Sequence, residues 1–270
     1  MRVISGSAKG HQIKAPHGMS TRPMADKVKG ALFSILTNLL YRVDREWGCV
    51  LDFYSGSGSI GIEALSRGAE WADFVETSAG VCRIISENLE HTHFTTKARV
   101  NNRTVAAFLN SPPSAPGASA AKRAAGGLHR RKGGTHRELP LDLSPLPPVE
   151  EIALPTEAVV ATQEEWQYDI IFLDPPYADP KIPNTLLHVA HSGLVKKGGL
   201  VVIGHSPRVV LSDTYGEEMA QDKTVQLHRL HYRRHGDSAF SIYLAGEPTA
   251  YGLGPQAEEE QEEVEPSMDD

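Results

Sequence analysis

The chain has 270 residues, 40% of them apolar, enough to bury one sizeable core. It lacks an apolar run near the roughly 20 residues that a membrane helix needs, and its opening residues do not resemble a signal peptide. Two cysteines, Cys49 and Cys82, argue against a disulfide framework and fit a reducing, cytoplasmic setting. The net charge of −7 is unevenly spread. Eight of the 34 acidic residues lie in 256–270, leaving 26 against 27 bases elsewhere. The first thirty residues carry Arg2, Lys9, Lys14, Arg22, Lys27 and Lys29 against Asp26 alone, a local basic surface able to meet phosphate.

In chain order, Val28, Leu32, Ile35, Leu36 and Leu39 recur at helical spacing, which predicts an amphipathic helix over Ala25–Leu40. A strand over Cys49–Phe53 follows, then a glycine turn and a helix through Ile60, Ala64 and Leu65 that stops at Gly68. Strand Ala72–Glu76, helix Ala79–Glu90, strand Ala98–Asn101 and a short helix around Val105–Leu109 come next.

Residues 111–163 hold eight of the eighteen prolines and no aromatic residue, and read as a disordered insertion. Beyond it come strand Tyr168–Leu173, helix Asn184–His191, strand Gly199–Gly204, and a hairpin of Val225–Tyr232 with Ala239–Leu244. Residues 248–270 read as an acidic disordered tail. Strand–helix alternation implies an α/β, Rossmann-like sheet, mostly parallel, with an antiparallel C-terminal hairpin. The sheet domain is expected over 25–110 and 164–247.

The first turn, Asp52-Phe53-Tyr54-Ser55-Gly56-Ser57-Gly58-Ser59-Ile60-Gly61, joins strand to helix where such sheets bind nucleotides. Glu76 ends the next strand, where a carboxylate can take both hydroxyls of a ribose. NAD would use Gly56, Gly58 and Gly61 as its fingerprint. S-adenosyl-L-methionine would use the same turn with Asp52. That carboxylate suits the donor's ammonium and repels a pyrophosphate, so the balance favours the methyl donor. The turn has no Gly-Lys-Ser/Thr of a P-loop.

Asp174-Pro175-Pro176-Tyr177 directly follows an apolar strand. An exocyclic base amine is a poor nucleophile because its lone pair is delocalised into the ring. The Asp174 carboxylate and the Pro175 carbonyl can hold its two hydrogens and direct the lone pair at a sulfonium methyl. Both prolines stiffen the turn, and Tyr177 offers a face on which an extruded base can stack. These residues serve guanine N2, adenine N6 or cytosine N4 alike. An NAD(P)-dependent oxidoreductase and a non-catalytic RNA-binding factor are the alternatives from other classes.

With these residues in place, the chain resembles the RsmD-like guanine-N2 methyltransferases of small-subunit (16S) ribosomal RNA. The stretches that carry the likeness are Met1–Gly6 with Lys9-Gly10, Thr21–Lys29, Leu51–Ala69, Asp174–Tyr177 and Arg234–Ala239. The resemblance implies a small N-terminal β-hairpin extension, residues 1–24, that helps bind RNA. Asp52, Tyr54, Gly56, Ser57, Gly58, Glu76 and Thr104 would hold S-adenosyl-L-methionine, although Thr104 stands where the family often has Asp or Asn. Asp174, Pro175, Pro176 and Tyr177 would hold the base. Arg2, Lys9, Lys14, Arg22, Lys27, Arg233 and Arg234 would touch RNA, with Arg233 and Arg234 on a polar rim of the last hairpin. The expected partner is small-subunit ribosomal RNA in an assembling or assembled 30S particle, met by a monomer. Histidine groups such as His228, His231 and His235 lack carboxylate or cysteine company at metal spacing, so no metal is expected.

Overall fold

The computed structural model describes residues 1–16, 26–115, 166–176, 179–217 and 224–253. By contacts the chain divides into residues 1–113 with 167–270, and residues 114–166; every strand of the sheet belongs to the first unit. Arg22, Tyr177 and nearly all of the expected insertion lie outside the described residues.

Helix α1 (Asp26–Arg42) leads into β1 (Cys49–Phe53), α2 (Ser59–Ser66), β2 (Trp71–Glu76), α3 (Ala79–His91), β3 (Ala98–Asn102) and α4 (Val105–Asn110). After residues 114–166 come β4 (Tyr168–Leu173), α5 (Ile182–His191), β5 (Val195–His205), β6 (Thr214–Tyr215), β7 (Leu227–His235) and β8 (Ser238–Ala245). They form one sheet of order β3-β2-β1-β4-β5-β8-β7-β6. Strands β1 to β5 pair in parallel, and the β5–β8, β8–β7 and β7–β6 pairs are antiparallel. The Rossmann-like expectation with a reversed end therefore holds.

All five residues of β1 are buried, as befits a central parallel strand covered on both faces. On one face Leu32, Phe33 and Leu36 of α1, Ile62 and Leu65 of α2, and Ile85 and Leu89 of α3 join Val50, Phe74, Phe172 and Val202 in one core. Phe33 stacks between Trp47 and Phe172, with ring centroids 5.4 and 5.8 Å away. On the other face Phe108 of α4 meets Phe53 edge-on at 5.5 Å.

Residues 1–13 form a short hairpin with one antiparallel bridge, Arg2 to Gln12, and backbone bonds from Val3 N to His11 O (3.0 Å) and Gly10 N to Val3 O (2.9 Å). The hairpin is fastened to α2 by Glu63, whose buried carboxylate accepts the amides of Ile4 (2.7 Å) and Ser5 (3.0 Å). Gly6, at φ +84°, lies so close to the Ser66 carbonyl that a Cβ would sit 1.8 Å from its oxygen. Only glycine fits there.

Two expectations are corrected, and one strand is added. Lys29 is not part of a basic surface. It is 1% exposed, donates to the Arg2 carbonyl at 2.9 Å and pairs with Glu63 at 3.5 Å. Burial pulls its pKa below the ordinary lysine value, opposed by the adjacent Glu63. The ordered chain continues past 247, with a 3-10 turn at Pro248–Tyr251 and a buried Leu253. β6, two residues long, adds an edge strand that no periodicity could announce.

Candidate functional site

The turn after β1 is built from left-handed backbone. Tyr54, Gly56 and Gly58 have φ of +57°, +53° and +76°. The Ser55 hydroxyl donates to the Asp52 carbonyl (2.6 Å) and accepts the Val75 amide (2.9 Å), which ties the turn to β2. A Cβ on Gly61 would lie 2.4 Å from the Phe74 ring, so glycine lets α2 close on the sheet.

Three carboxylates stand on this rim. Asp52 is 1% exposed; its Oδ2 accepts the Gly61 amide at 3.0 Å, while its buried Oδ1 has no hydrogen-bond partner. Burial pushes its pKa well above the carboxylate range, the Gly61 bond opposes this, and the charges of Asp174 and Glu76 add to the rise. Glu76, at the end of β2, accepts the Gly56 amide through Oε2 (3.2 Å) and the Ser78 amide through Oε1 (2.9 Å). It thus links the glycine turn to the start of α3.

Asp174 follows β4, and its amide donates to the Phe53 carbonyl at 3.4 Å. Desolvation pushes its pKa up to about 6. Its Oδ1 lies against Gly204 of β5, where a Cβ would be only 2.6 Å from that oxygen. Pro175 is buried and Pro176 exposed.

Strand register fixes the relation between these groups. Phe53 is level with Val75 on one side and with Leu173 on the other. Glu76 and Asp174 are therefore level with Tyr54, two strand spacings apart, about 10 Å. Asp52 lies between them and two residues lower, on the same face as Phe172 and so as Asp174. The result is a row at the ends of the strands with a carboxylate on each side of the glycine turn and a third beneath it.

An S-adenosylmethionine fits these residues. The unpartnered Asp52 Oδ1 leaves an acceptor for an ammonium, Glu76 ends β2 where a carboxylate can accept ribose hydroxyls, and Gly56 leaves backbone open to a close neighbour, since a Cβ there would meet nothing nearer than the Tyr54 carbonyl oxygen at 3.9 Å. Tyr54 is turned towards Thr185 and Asp179 near the start of α5, and burial raises its pKa. Thr104 is exposed, and its hydroxyl caps α4 by accepting the Ala107 amide at 3.1 Å. At the adjacent end of β3, the Asn102 amide donates to the Glu76 and Thr77 carbonyls at 3.0 and 2.8 Å.

The expected RNA contacts among the described residues fall in three places. Arg2, Lys9 and Lys27 line one cleft of about 380 Å³ between the hairpin and the start of α1, with Asp26 3.6 Å from Arg2. Lys14 is apart from them and pairs with Glu87 at 2.8 Å. Arg233 and Arg234 are exposed on β7. Gly204 pairs with Phe240 and Phe240 with Arg233, so Asp174, Gly204, Phe240 and Arg233 form one transverse row. Three strand spacings, about 14 Å, separate Arg233 from Asp174. Glu63, Asn88 and Gly204 were not singled out from the sequence. A carboxylate and an amide at buried positions of apolar helix faces were the available signal for the first two.

Comparison with known proteins shows the family and the fold. The family profile described as "Conserved hypothetical protein 95" matches residues 1–118 and 152–242. The Bacillus subtilis protein named "Putative rRNA methyltransferase YlbH" is 31% identical over 217 residues, covering 80% of this chain and 89% of that protein. "Ribosomal RNA small subunit methyltransferase D" of Escherichia coli is 35% identical over 109 residues, covering 40% of this chain and 52% of that protein. A solved Escherichia coli structure, "Putative methyltransferase yhhF", shares the fold with a TM-score of 0.57 at 20% identity, over 91% of this chain and 98% of that one. The chain is thus an RsmD-like member of the Conserved hypothetical protein 95 family.

Proposed function

We propose that this chain transfers a methyl group from S-adenosylmethionine to the exocyclic N2 of a guanine in small-subunit ribosomal RNA, presented in a 30S particle in the cytoplasm. The observation that carries the reading is the rim itself. Glu76 and Asp174 flank a glycine turn at the same height, and between them Asp52 keeps an unpartnered buried oxygen. When bound, the cofactor supplies an electrophilic methyl group.

Asp52 would hold the ammonium of its methionine moiety, and Glu76 its ribose hydroxyls. Asp174 and the Pro175 carbonyl would accept the two hydrogens of the amine, fixing the nitrogen with its lone pair towards the methyl. The expected base-stacking role of Tyr177 stays part of the proposal. Arg233, in the row of Asp174, and the Arg2–Lys9–Lys27 cleft would hold phosphates of the RNA. The names of the relatives, which are rRNA methyltransferases, support RNA as the acceptor.

The test is labelled methyl transfer to 30S particles, deproteinised RNA and duplex DNA, followed by nucleoside analysis. N2-methylguanosine from 30S particles is the expected product. Methyl groups on adenine N6 or cytosine N4 would move the acceptor assignment. Binding of NAD but not S-adenosylhomocysteine would end the methyltransferase reading.

A further inference from the structure

The N-terminal hairpin and the glycine turn belong to distant parts of the sequence, yet one side chain joins them. Asn88 lies on α3 and is 1% exposed. Its Oδ1 accepts the Lys14 amide at 2.9 Å, and its Nδ2 donates to the Lys14 carbonyl at 3.0 Å. The same Nδ2 donates to the Ser57 carbonyl at 2.8 Å, in the middle of the glycine turn. A second contact of the same two segments, from the Ser57 hydroxyl to the Met1 sulfur at 4.0 Å, lies beside it.

Such an arrangement is costly to leave half-made. A buried amide that loses one of its partners leaves polar atoms away from water with nothing to bond. The positions of Lys14 and Ser57 are therefore not independent. Ordering either segment favours the arrangement of Asn88 that the other requires.

We propose that Asn88 is a positioning residue that couples RNA docking on the N-terminal hairpin to cofactor binding at the glycine turn. Asn88 touches neither ligand; it acts through the backbone at Lys14 and Ser57. The inference rests on the reading of the turn as a cofactor site and of the hairpin as an RNA contact. Coupling is reciprocal: RNA bound along residues 1–14 tightens cofactor binding by the same factor by which cofactor tightens RNA.

Equilibrium dialysis with labelled S-adenosylhomocysteine, with and without saturating 30S particles, measures the coupling. In the unaltered chain, particles are expected to tighten binding about tenfold, within the usual range for linked sites. In Asn88→Asp, which keeps the acceptor for the Lys14 amide but loses both donated bonds, the ratio should fall to about one to twofold. The coupling is read from the ratio of affinities with and without particles, so a change in affinity common to both conditions leaves it untouched.

A ratio of one in the unaltered chain, or an undiminished ratio in Asn88→Asp, overturns the proposal while leaving the methyltransferase reading intact. Failure of the unaltered chain to bind the homocysteine compound at all defeats that reading, and the coupling with it. Should Asn88→Asp not fold, hydrogen exchange on the unaltered chain decides the matter. S-adenosylhomocysteine should slow exchange of the Lys14 amide, and no change there refutes the coupling.

Discussion

The acidity of Asp174 gives the most direct test of its place in the chemistry. Only the ionised carboxylate can accept an amine hydrogen at either oxygen; protonation turns one of them into a donor. Desolvation lifts its pKa from the ordinary 3.8 to about 6. A carboxyl with a pKa of about 6 is ionised to about one tenth at pH 5, whereas an ordinary aspartate would remain more than about nine tenths ionised. The kcat/KM for RNA, measured at saturating cofactor, should therefore drop about tenfold between pH 7.5 and 5, half-maximal near 6. Asp174→Asn should lose about a hundredfold or more in turnover, the scale of removing one well-placed polar contact from a transition state, and should lack this acidic limb. A flat profile down to pH 5, or the same limb in the asparagine variant, would refute the role. Stability moves the other way. Because the folded chain binds this proton more tightly than the unfolded one, Asp174 makes the protein more stable as pH falls from above 6 towards 3.8, by at most about 3 kcal/mol.

Gly204→Ala would place a methyl 2.6 Å from the Asp174 Oδ1 and force that carboxylate aside. Turnover should fall at least about tenfold while S-adenosylhomocysteine affinity, followed by calorimetry, stays within about threefold; unchanged turnover would show that the carboxylate need not sit there. Asp52→Asn removes a buried ionisable group whose Oδ1 has no partner, so the ligand-free melting temperature should hold or rise while cofactor affinity drops about tenfold or more. A melting temperature clearly below that of the parent would contradict the assignment. Glu63→Ala strands the buried Lys29 and frees the amides of Ile4 and Ser5, and should cost about 3–5 kcal/mol in urea titration, with early proteolysis in residues 1–14. Arg233→Ala should weaken RNA binding at every sequence and lower the slope of log affinity against log salt by about one.

Much of this protein was written locally. The boundaries of β1 and β4 follow from continuous apolar runs, and the turn between β1 and α2 follows from glycines that alone accept positive φ with little strain. Asp52, Glu76 and Asp174 could be named because each sits where a strand ends, a position visible in one dimension. Lys29 could not be placed that way. Its charge and its neighbours in sequence suggested surface, and it is partners distant in sequence, the Arg2 carbonyl and Glu63, 34 residues away, that make its burial tolerable.

What the sequence alone determined was therefore the order of strands and helices, the glycine turn, and which carboxylates close which strands, since all of these depend on interactions within a few residues. Tertiary structure decided their heights and neighbours. Register across β2, β1 and β4 sets Glu76 and Asp174 level, pairing across β5, β8 and β7 brings Arg233 into their row, and Asn88 joins segments 74 and 31 residues away. Long-range hydrogen bonds and strand register leave no periodic trace in the chain, because their partners are fixed by the closing of loops and by the packing of the whole core.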